Sequence, residues 1–409
     1  MSHMKHQVFK KYLLRLVSGT LCCLVVIAIF NFIVDPYGIY DAITISGFNE
    51  EKNEISSHLR LHKAYEVSDV MPGAISLGTS RTEVGIDSNH VGWAYPCYNL
   101  GFSGASIYEI LRYYQHALYL CNTKQVVLMI DSISFFADRE NAPDFDETRL
   151  AITYDGKKNI TWGINEKFSC LLNTSRASVD TIRHQNSNSV SLYEKGRAVS
   201  LYWVVRDGNH VSFINRAKKD FENDTKQING RGEQNSVSPY DYYYYRQILE
   251  IAHANDIELC IGISPCHVYT WEIMALDGSY PYYEEQWKRS VVKINEEVAE
   301  EFGKPPFPLW DFSVYNEFTM EDIPPIGDTQ TRMRWYWDYS HYTKEFGDII
   351  LDLMFNLPTP NEYQDIYFGE MITSGNIEEH LREIRDSREL YRNMHPDIIN
   401  EIQKLRDEY

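Results

Sequence analysis

The stretch "AISLGTSRTEVGID", residues 74–87, decides how the chain is read. A run of small and apolar residues stops at Gly78-Thr79-Ser80-Arg81, and the chain then turns polar. An apolar run closed by a turn reads as a buried strand. Its end has two readings. Gly, Ser and Thr are ordinary turn residues, so the strand simply stops there. Alternatively the strand is a pedestal that presents Ser80 as a nucleophile.

Working outward, the same pattern repeats. "CYNLG" (97–101), "QVVLMI" (125–130), "IELCIGIS" (257–264) and "FPLWDFS" (307–313) read as further strands. Residues 105–121, 239–255, 284–302 and 343–355 carry helical spacing between and after them, with Ser238 as a cap before Pro239. β-branched runs buried on both faces, alternating with helices, predict an α/β domain: a three-layer parallel sheet of about five strands. Sites in such sheets form beyond the carboxyl ends of strands, where Ser80 and Asp131 both fall. Residues 137–237 interrupt the alternation. They are polar, rich in Asn and Ser, and read as an insertion or cap over the site within a domain spanning 71–356. Residues 37–70 read as a connector. Beyond "LPTP" (357–360), residues 357–409 read as a charged helical tail with a solvated face, split at Pro396 and started by Asn376 with Glu379.

The N-terminus departs from a soluble composition. "LVSGTLCCLVVIAIFNFIV" (16–34) carries no charge, and as a helix its 19 residues span roughly 29 Å, near the hydrocarbon thickness of a bilayer. Lys5, Lys10, Lys11 and Arg15 precede it, and Asp35, Asp41, Glu50 and Glu51 follow. The positive-inside rule makes residues 1–36 a cytoplasmic stub and signal anchor, single-pass in the inner membrane, with the bulk extracytoplasmic. A cleavable signal peptide fits less well, because the segment is long for an h-region and lacks a small-residue cleavage site. The net charge of −19 excludes a nucleic acid backbone as a natural partner. Seven cysteines without a CxxC imply neither a zinc site nor a dense disulfide framework. A pairing of Cys97 with Cys121 stays open.

A serine needs a base, and the base needs a partner that fixes its tautomer. In "WYWDYSHYTKEFGD", Asp338 and His341 stand three residues apart just before a helix, so the carboxylate can hold the imidazole. In "YNLGFSGASIYE" (98–109), Gly101 and Gly104 open a helix and let backbone N–H groups approach an oxyanion.

Together these three elements resemble the SGNH (GDSL-like) hydrolase superfamily. Its Gly-Asp-Ser block is matched by Gly78-Thr79-Ser80, its Asn and glycine block by Asn99 and Gly104, and its Asp-x-x-His block by Asp338 and His341. The resemblance covers about residues 70–135 and 255–356, and implies a flavodoxin-like layout. With the anchor and the "GTSR" form, the chain looks most like extracytoplasmic SGNH-like proteins of bacterial cell-surface acylation, which often work beside a membrane-bound O-acyltransferase. The implied activity is serine-dependent acyl transfer, as an O-acetyltransferase or acetylesterase, on a cell-envelope or exported polysaccharide. No cofactor and no metal are implied. Ser80, Asp338 and His341 would be catalytic. The backbone of Ser80 and Gly104 would hold the oxyanion with Ser132 as a weak donor, and Arg81, Asn99, Trp337, Tyr339 and His267 would meet substrate. One block departs. Where the family carries Gly-x-Asn-Asp after the third strand, this chain has Asp131-Ser132. An ionised Asp131 aimed at the oxyanion would oppose it, which leaves a non-catalytic, polysaccharide-binding or scaffold protein as the alternative.

Other constellations carry less. "GFSGA" around Ser103 has Ala105 where a nucleophile elbow needs glycine. His58 and His62 have i, i+4 spacing for a metal but no third ligand nearby. The aromatic residues Trp335, Tyr336, Trp337, Tyr339 and Tyr342 suit either sugar stacking or packing.

Overall fold

A computed structural model of the chain describes residues 2–136, 141–185, 193–230, 241–276, 278, 280–358, 360–363 and 366–408. The chain divides into two units, Met1–Asp69 with Asp144–Leu192, and Val70–Pro143 with Tyr193–Tyr409. The expected insertion over 137–237 is therefore not one piece. Asp144–Leu192 belongs with the N-terminal unit, and the part from Tyr193 onward belongs with the sheet. The Ser238-Pro239 cap lies outside the described residues.

In the first unit, helix Ser2–Val34 is followed by helix Leu59–Val70, and later by helices Asn165–Asn173 and Ser175–Arg183. Among the described residues one helix, His6–Val34, is long and apolar enough to cross a membrane. Its last turns are docked against protein. Asn31 is fully buried, donates to the Leu171 carbonyl at 2.8 Å and accepts from Ser178 Oγ at 2.9 Å. The stretch read as a connector is thus part of a folded unit, whose small core gathers Ile39, Leu61, Tyr65 and Cys170.

The second unit is built on strands β1 (Ala74–Thr79), β2 (Cys97–Phe102), β3 (Gln125–Ile130), a two-residue hairpin of β4 (Tyr193–Glu194) and β5 (Arg197–Ala198), then β6 (Glu258–Ile263), β7 (Leu309–Asp311) and β8 (Glu370–Met371). The main sheet has six strands in the order β2-β1-β3-β6-β7-β8. All pairs are parallel except β7 with β8. The unbroken burial of β1, β2 and β3 explains their uninterrupted apolar runs. Val127 and Met129 share one hydrophobic core with Phe346, Ile349 and Ile350 of helix Lys344–Met354. Helices Ile107–Leu120, Tyr243–Ala254 and Tyr282–Phe302 pack on one another and supply the crossovers β2 to β3, β3 to β6 and β6 to β7. Right-handed crossovers place these three on the face opposite Lys344–Met354.

The C-terminal region is not a solvated tail. It contributes the antiparallel edge strand β8 and two helices, Ile377–Met394 and Pro396–Asp407, that bury Ile377, Leu381, Ile384, Tyr391, Ile402 and Leu405. Arg388 Nε meets Glu272 at 2.9 Å, and His380 Nε2 meets the buried Asp311 at 2.8 Å. Asn376 does precede its helix but makes no side-chain cap. Its amide oxygen accepts from Thr373 N at 2.7 Å instead. All seven cysteines are free thiols, so Cys97 and Cys121 are not paired. Burial pushes the Cys121 thiol up to about 11.

Candidate active site

β1 ends at a position that only glycine tolerates. A Cβ on Gly78 would sit 2.0 Å from Thr82 Oγ1 and 2.5 Å from the Met129 carbonyl. Thr79 then caps the short helix Ser80–Gly85, its Oγ1 accepting from Arg81 N. Ser80 is the first residue of that helix, just past the carboxyl end of β1. Thr79 lies in register with Phe102 of β2, so the turn at Ser103 and Gly104 runs alongside. Gly104 takes φ +65°, a left-handed conformation that favours glycine.

The imidazole arrives from the far end of the unit. Tyr336 and Tyr342 bridge antiparallel, and Trp337 N donates to the His341 carbonyl at 2.9 Å, closing a tight loop before helix Lys344–Met354. Within the loop Asp338 Oδ1 accepts from Ser340 N at 2.8 Å and His341 N at 3.0 Å. His341 Nδ1 lies 2.8 Å from Asp338 Oδ2, and His341 Nε2 lies 2.9 Å from Ser80 Oγ. With Nδ1 donating to the carboxylate, Nε2 is the acceptor for the serine proton. Ser80, His341 and Asp338 thus form a continuous hydroxyl–imidazole–carboxylate hydrogen-bonded chain at the carboxyl edge of a parallel sheet. Burial alone would raise the Asp338 carboxyl. The charges of His341 and Arg216, with the loop's N–H donors, hold it well below the usual carboxylate range.

Arg216 had no counterpart in the sequence reading. It comes from helix Asn209–Gly230, in the stretch read as a cap. Its Nη1 lies 3.7 Å from Asp338 Oδ2, and its guanidinium stands 5.5 Å from the Tyr339 ring centroid. Asn209 of the same helix donates to the Tyr336 and Trp337 carbonyls at 3.0 and 2.9 Å. One helix therefore both shapes the Asp338 loop and supplies its countercharge. The signal that could have found it is the stripe Phe213, Ala217, Phe221 at i, i+4, i+8, all buried.

Asp131, just past β3, takes part in a salt bridge. Asp131 is buried, and its carboxylate accepts from Thr79 Oγ1 and from Arg81 Nη1. Its charge is paired with the Arg81 guanidinium. Burial by itself would lower the Arg81 guanidinium, and Asp131 outweighs it, so Arg81 stays charged. Arg81 Nε also donates to Ser340 Oγ at 3.3 Å, beside His341. Arg81 thus ties β3 to the histidine loop, where a substrate contact was expected.

Several expected substrate residues are structural. Asn99 is fully buried; its Nδ2 donates to the Thr82 and Ile86 carbonyls at 2.8 and 2.9 Å, and its Oδ1 accepts from Gly101 N at 2.8 Å. It braces the turn rather than facing a ligand. Tyr339 is buried, with its hydroxyl donating to Asp220 at 2.6 Å. His267 is buried and donates Nε2–H to the Glu321 carbonyl at 2.7 Å; burial lowers its pKa to about 4. Trp337 is half-buried against Val84, Ala198, Leu201 and Val204, and Tyr336 and Tyr342 are fully buried, so most of this aromatic group packs. Ser132 is half-buried and hydrogen-bonded to the buried Glu284 carboxyl. The imidazole sits on Ser80, not on Ser103. His58 Nδ1 lies 3.0 Å from the Glu54 carbonyl and His62 Nε2 2.7 Å from Glu66, so the two histidines serve separate partners. No family model matches the chain, and no curated protein or solved structure is significantly similar to it.

Proposed function

We propose that the protein is a membrane-anchored serine acyltransferase or esterase of SGNH type, with a flavodoxin-like sheet, acting on a cell-envelope or exported polysaccharide. The observation that carries this reading is the Ser80–His341–Asp338 chain, with both hydrogen bonds in reach and no backbone rearrangement required. The strand order, with the site beyond the carboxyl ends of β1 and β2, supports the layout. The basic residues before the apolar helix support an N-terminus in the cytoplasm and an extracytoplasmic site. A membrane-bound O-acyltransferase is a fitting partner, since it would deliver acyl groups to that side.

Ser80 Oγ attacks the ester carbonyl as its proton passes to His341 Nε2. Asp338 holds the ring and offsets the imidazolium charge. The N–H groups of Ser80 and Gly104 receive the oxyanion. Collapse breaks the ester C–O bond, and His341 returns its proton to the departing alkoxide, leaving acyl-Ser80. The acceptor hydroxyl then gives its proton to His341 and attacks the acyl carbon; collapse breaks the acyl C–Oγ bond, and His341 returns that proton to Ser80 Oγ, restoring the free serine and neutral imidazole. A sugar hydroxyl as acceptor makes a transferase, and water an esterase. Pairing of Asp131 with Arg81 removes the electrostatic objection to this chemistry. A fluorophosphonate should label the intact protein and leave Ser80→Ala unlabelled. Equal labelling of both, or of neither, would favour the scaffold alternative.

A further inference from the structure

The last turns of the apolar helix are not bare. Ile27, Ala28 and Phe30 are half-buried, and Asn31 and Val34 are buried, whereas residues 6–26 are exposed throughout. This face packs against helices Asn165–Asn173 and Ser175–Arg183 of the same unit. Asn31 bonds to Leu171 and Ser178, and Tyr40, whose ring lies 5.5 Å from Phe32, donates its hydroxyl to the Lys167 carbonyl. Arg15 fixes the depth from the other side. A hydrocarbon layer of about 30 Å takes about 20 residues at 1.5 Å each, so a span beginning after Arg15 ends near residue 35. Residues 27–34 then lie in the outer part of that layer, and whatever packs on them must reach the same depth.

The two packed helices have the chemistry such a position requires. Ile160, Ile164 and Phe168 are exposed at 81%, 67% and 62%, and Phe32 and Ile33 of the apolar helix are exposed as well. Arg176 and Arg183 project from the following helix with side chains 96% and 71% exposed, and they share only Asp180, at 3.9 and 4.0 Å. Exposed apolar residues on one helix and two exposed arginines sharing a single carboxylate on the next, in a chain of net charge −19, match the acyl boundary and anionic headgroups of a membrane surface.

We propose that helices Asn165–Asn173 and Ser175–Arg183 lie in the interfacial layer of the bilayer, with Ile164 and Phe168 meeting acyl chains and Arg176 and Arg183 meeting anionic headgroups. This rests on the reading that helix Ser2–Val34 crosses a membrane. The unit is then a collar that fixes the helix's depth and tilt, and its partner is lipid.

The test uses the full chain in nanodiscs of phosphatidylcholine and phosphatidylglycerol, with Cys22 and Cys23 replaced by alanine; the other five cysteines are buried. A nitroxide is placed at Ile164→Cys, at Phe168→Cys, or at Val25→Cys within the span. Power saturation compares access of oxygen, which concentrates in acyl chains, with that of a polar nickel chelate. Both collar positions should favour oxygen, less strongly than Val25. A collar label that favours nickel while Val25 favours oxygen would overturn the collar and leave the anchor standing. A collar label shielded from both reagents would mean that protein, not lipid, covers the patch. Nickel access at Val25 would remove the anchor reading and the collar with it.

Discussion

Replacing Asp131 by Asn isolates the feature on which the site's electrostatics turn. The carboxylate is buried and accepts from Thr79 Oγ1 and Arg81 Nη1. Asparagine offers one acceptor oxygen for two donors and no charge for the guanidinium. Removing one partner of a buried ion pair costs ~3–5 kcal/mol, and the Arg81 side chain keeps 15% of its surface exposed, which favours the lower end, about 3 kcal/mol. At about 2–3 °C per kcal/mol for a unit of this size, the melting temperature should fall by about 6–9 °C. The assay is a thermal scan of the detergent-solubilised chain at fixed scan rate, followed by near-ultraviolet circular dichroism because most buried tyrosines lie in the sheet unit. Removing both charges with Asp131→Leu and Arg81→Met should recover most of the loss, since a buried pair contributes little over an apolar replacement. Esterase activity of Asp131→Asn should fall with the loosened Arg81–Ser340 contact. A variant that melts with the wild type and turns over faster would show that Asp131 opposes the oxyanion after all, and the pairing with Arg81 would be wrong.

Three further outcomes follow from the same geometry. Ser80→Ala and His341→Ala should each abolish most p-nitrophenyl acetate turnover, with the double variant no worse than either, because the residues act as a unit; additive losses would refute this. Arg216→Gln removes a cation 3.7 Å from Asp338, and the loss of positive charge favours proton binding in the site, so the acid limb of kcat/KM should move to higher pH by a fraction of a unit. A third of the Arg216 side chain is exposed, so the loss of stability should stay below about 1 kcal/mol, and an unmoved pH profile would deny it any role. Glu284 has its carboxyl raised, by burial first, against the opposing pull of Lys288 and Ser132. A carboxyl that binds its proton more tightly when folded loses stability as pH rises above its unfolded value of about 4.3. Glu284→Gln should therefore raise the melting temperature at pH 7–8 and leave it nearly unchanged at pH 4; the opposite ordering would mean that the ionised carboxylate is stabilising.

What was legible in the sequence was local. Each strand of the parallel sheet announces itself by an apolar run and a closing turn, and Asp338 and His341 lie close enough in the chain for their pairing to be read from spacing alone. The features that were not legible depend on partners far away in sequence. The stretch with Arg216 looked like a polar cap because its apolar stripe is narrow, yet Phe213, Ala217 and Phe221 bury it in the sheet unit. The C-terminal helices looked solvated because their charges dominate, but Arg388 is matched to Glu272 and His380 to Asp311, neither of which a heptad or moment can reveal. Arg81 and Asp131 show the consequence most directly. Read alone, Arg81 is a cation beside a nucleophile and invites a substrate, and Asp131 is an anion where an oxyanion donor belongs. Read together, each accounts for the other. The pair offsets the charge of Asp131 and braces the histidine loop through Ser340. Spacing can nominate the atoms that react. The sign of the field they react in is set by contacts between strands, and a strand end must be placed beside its neighbour before that sign can be known.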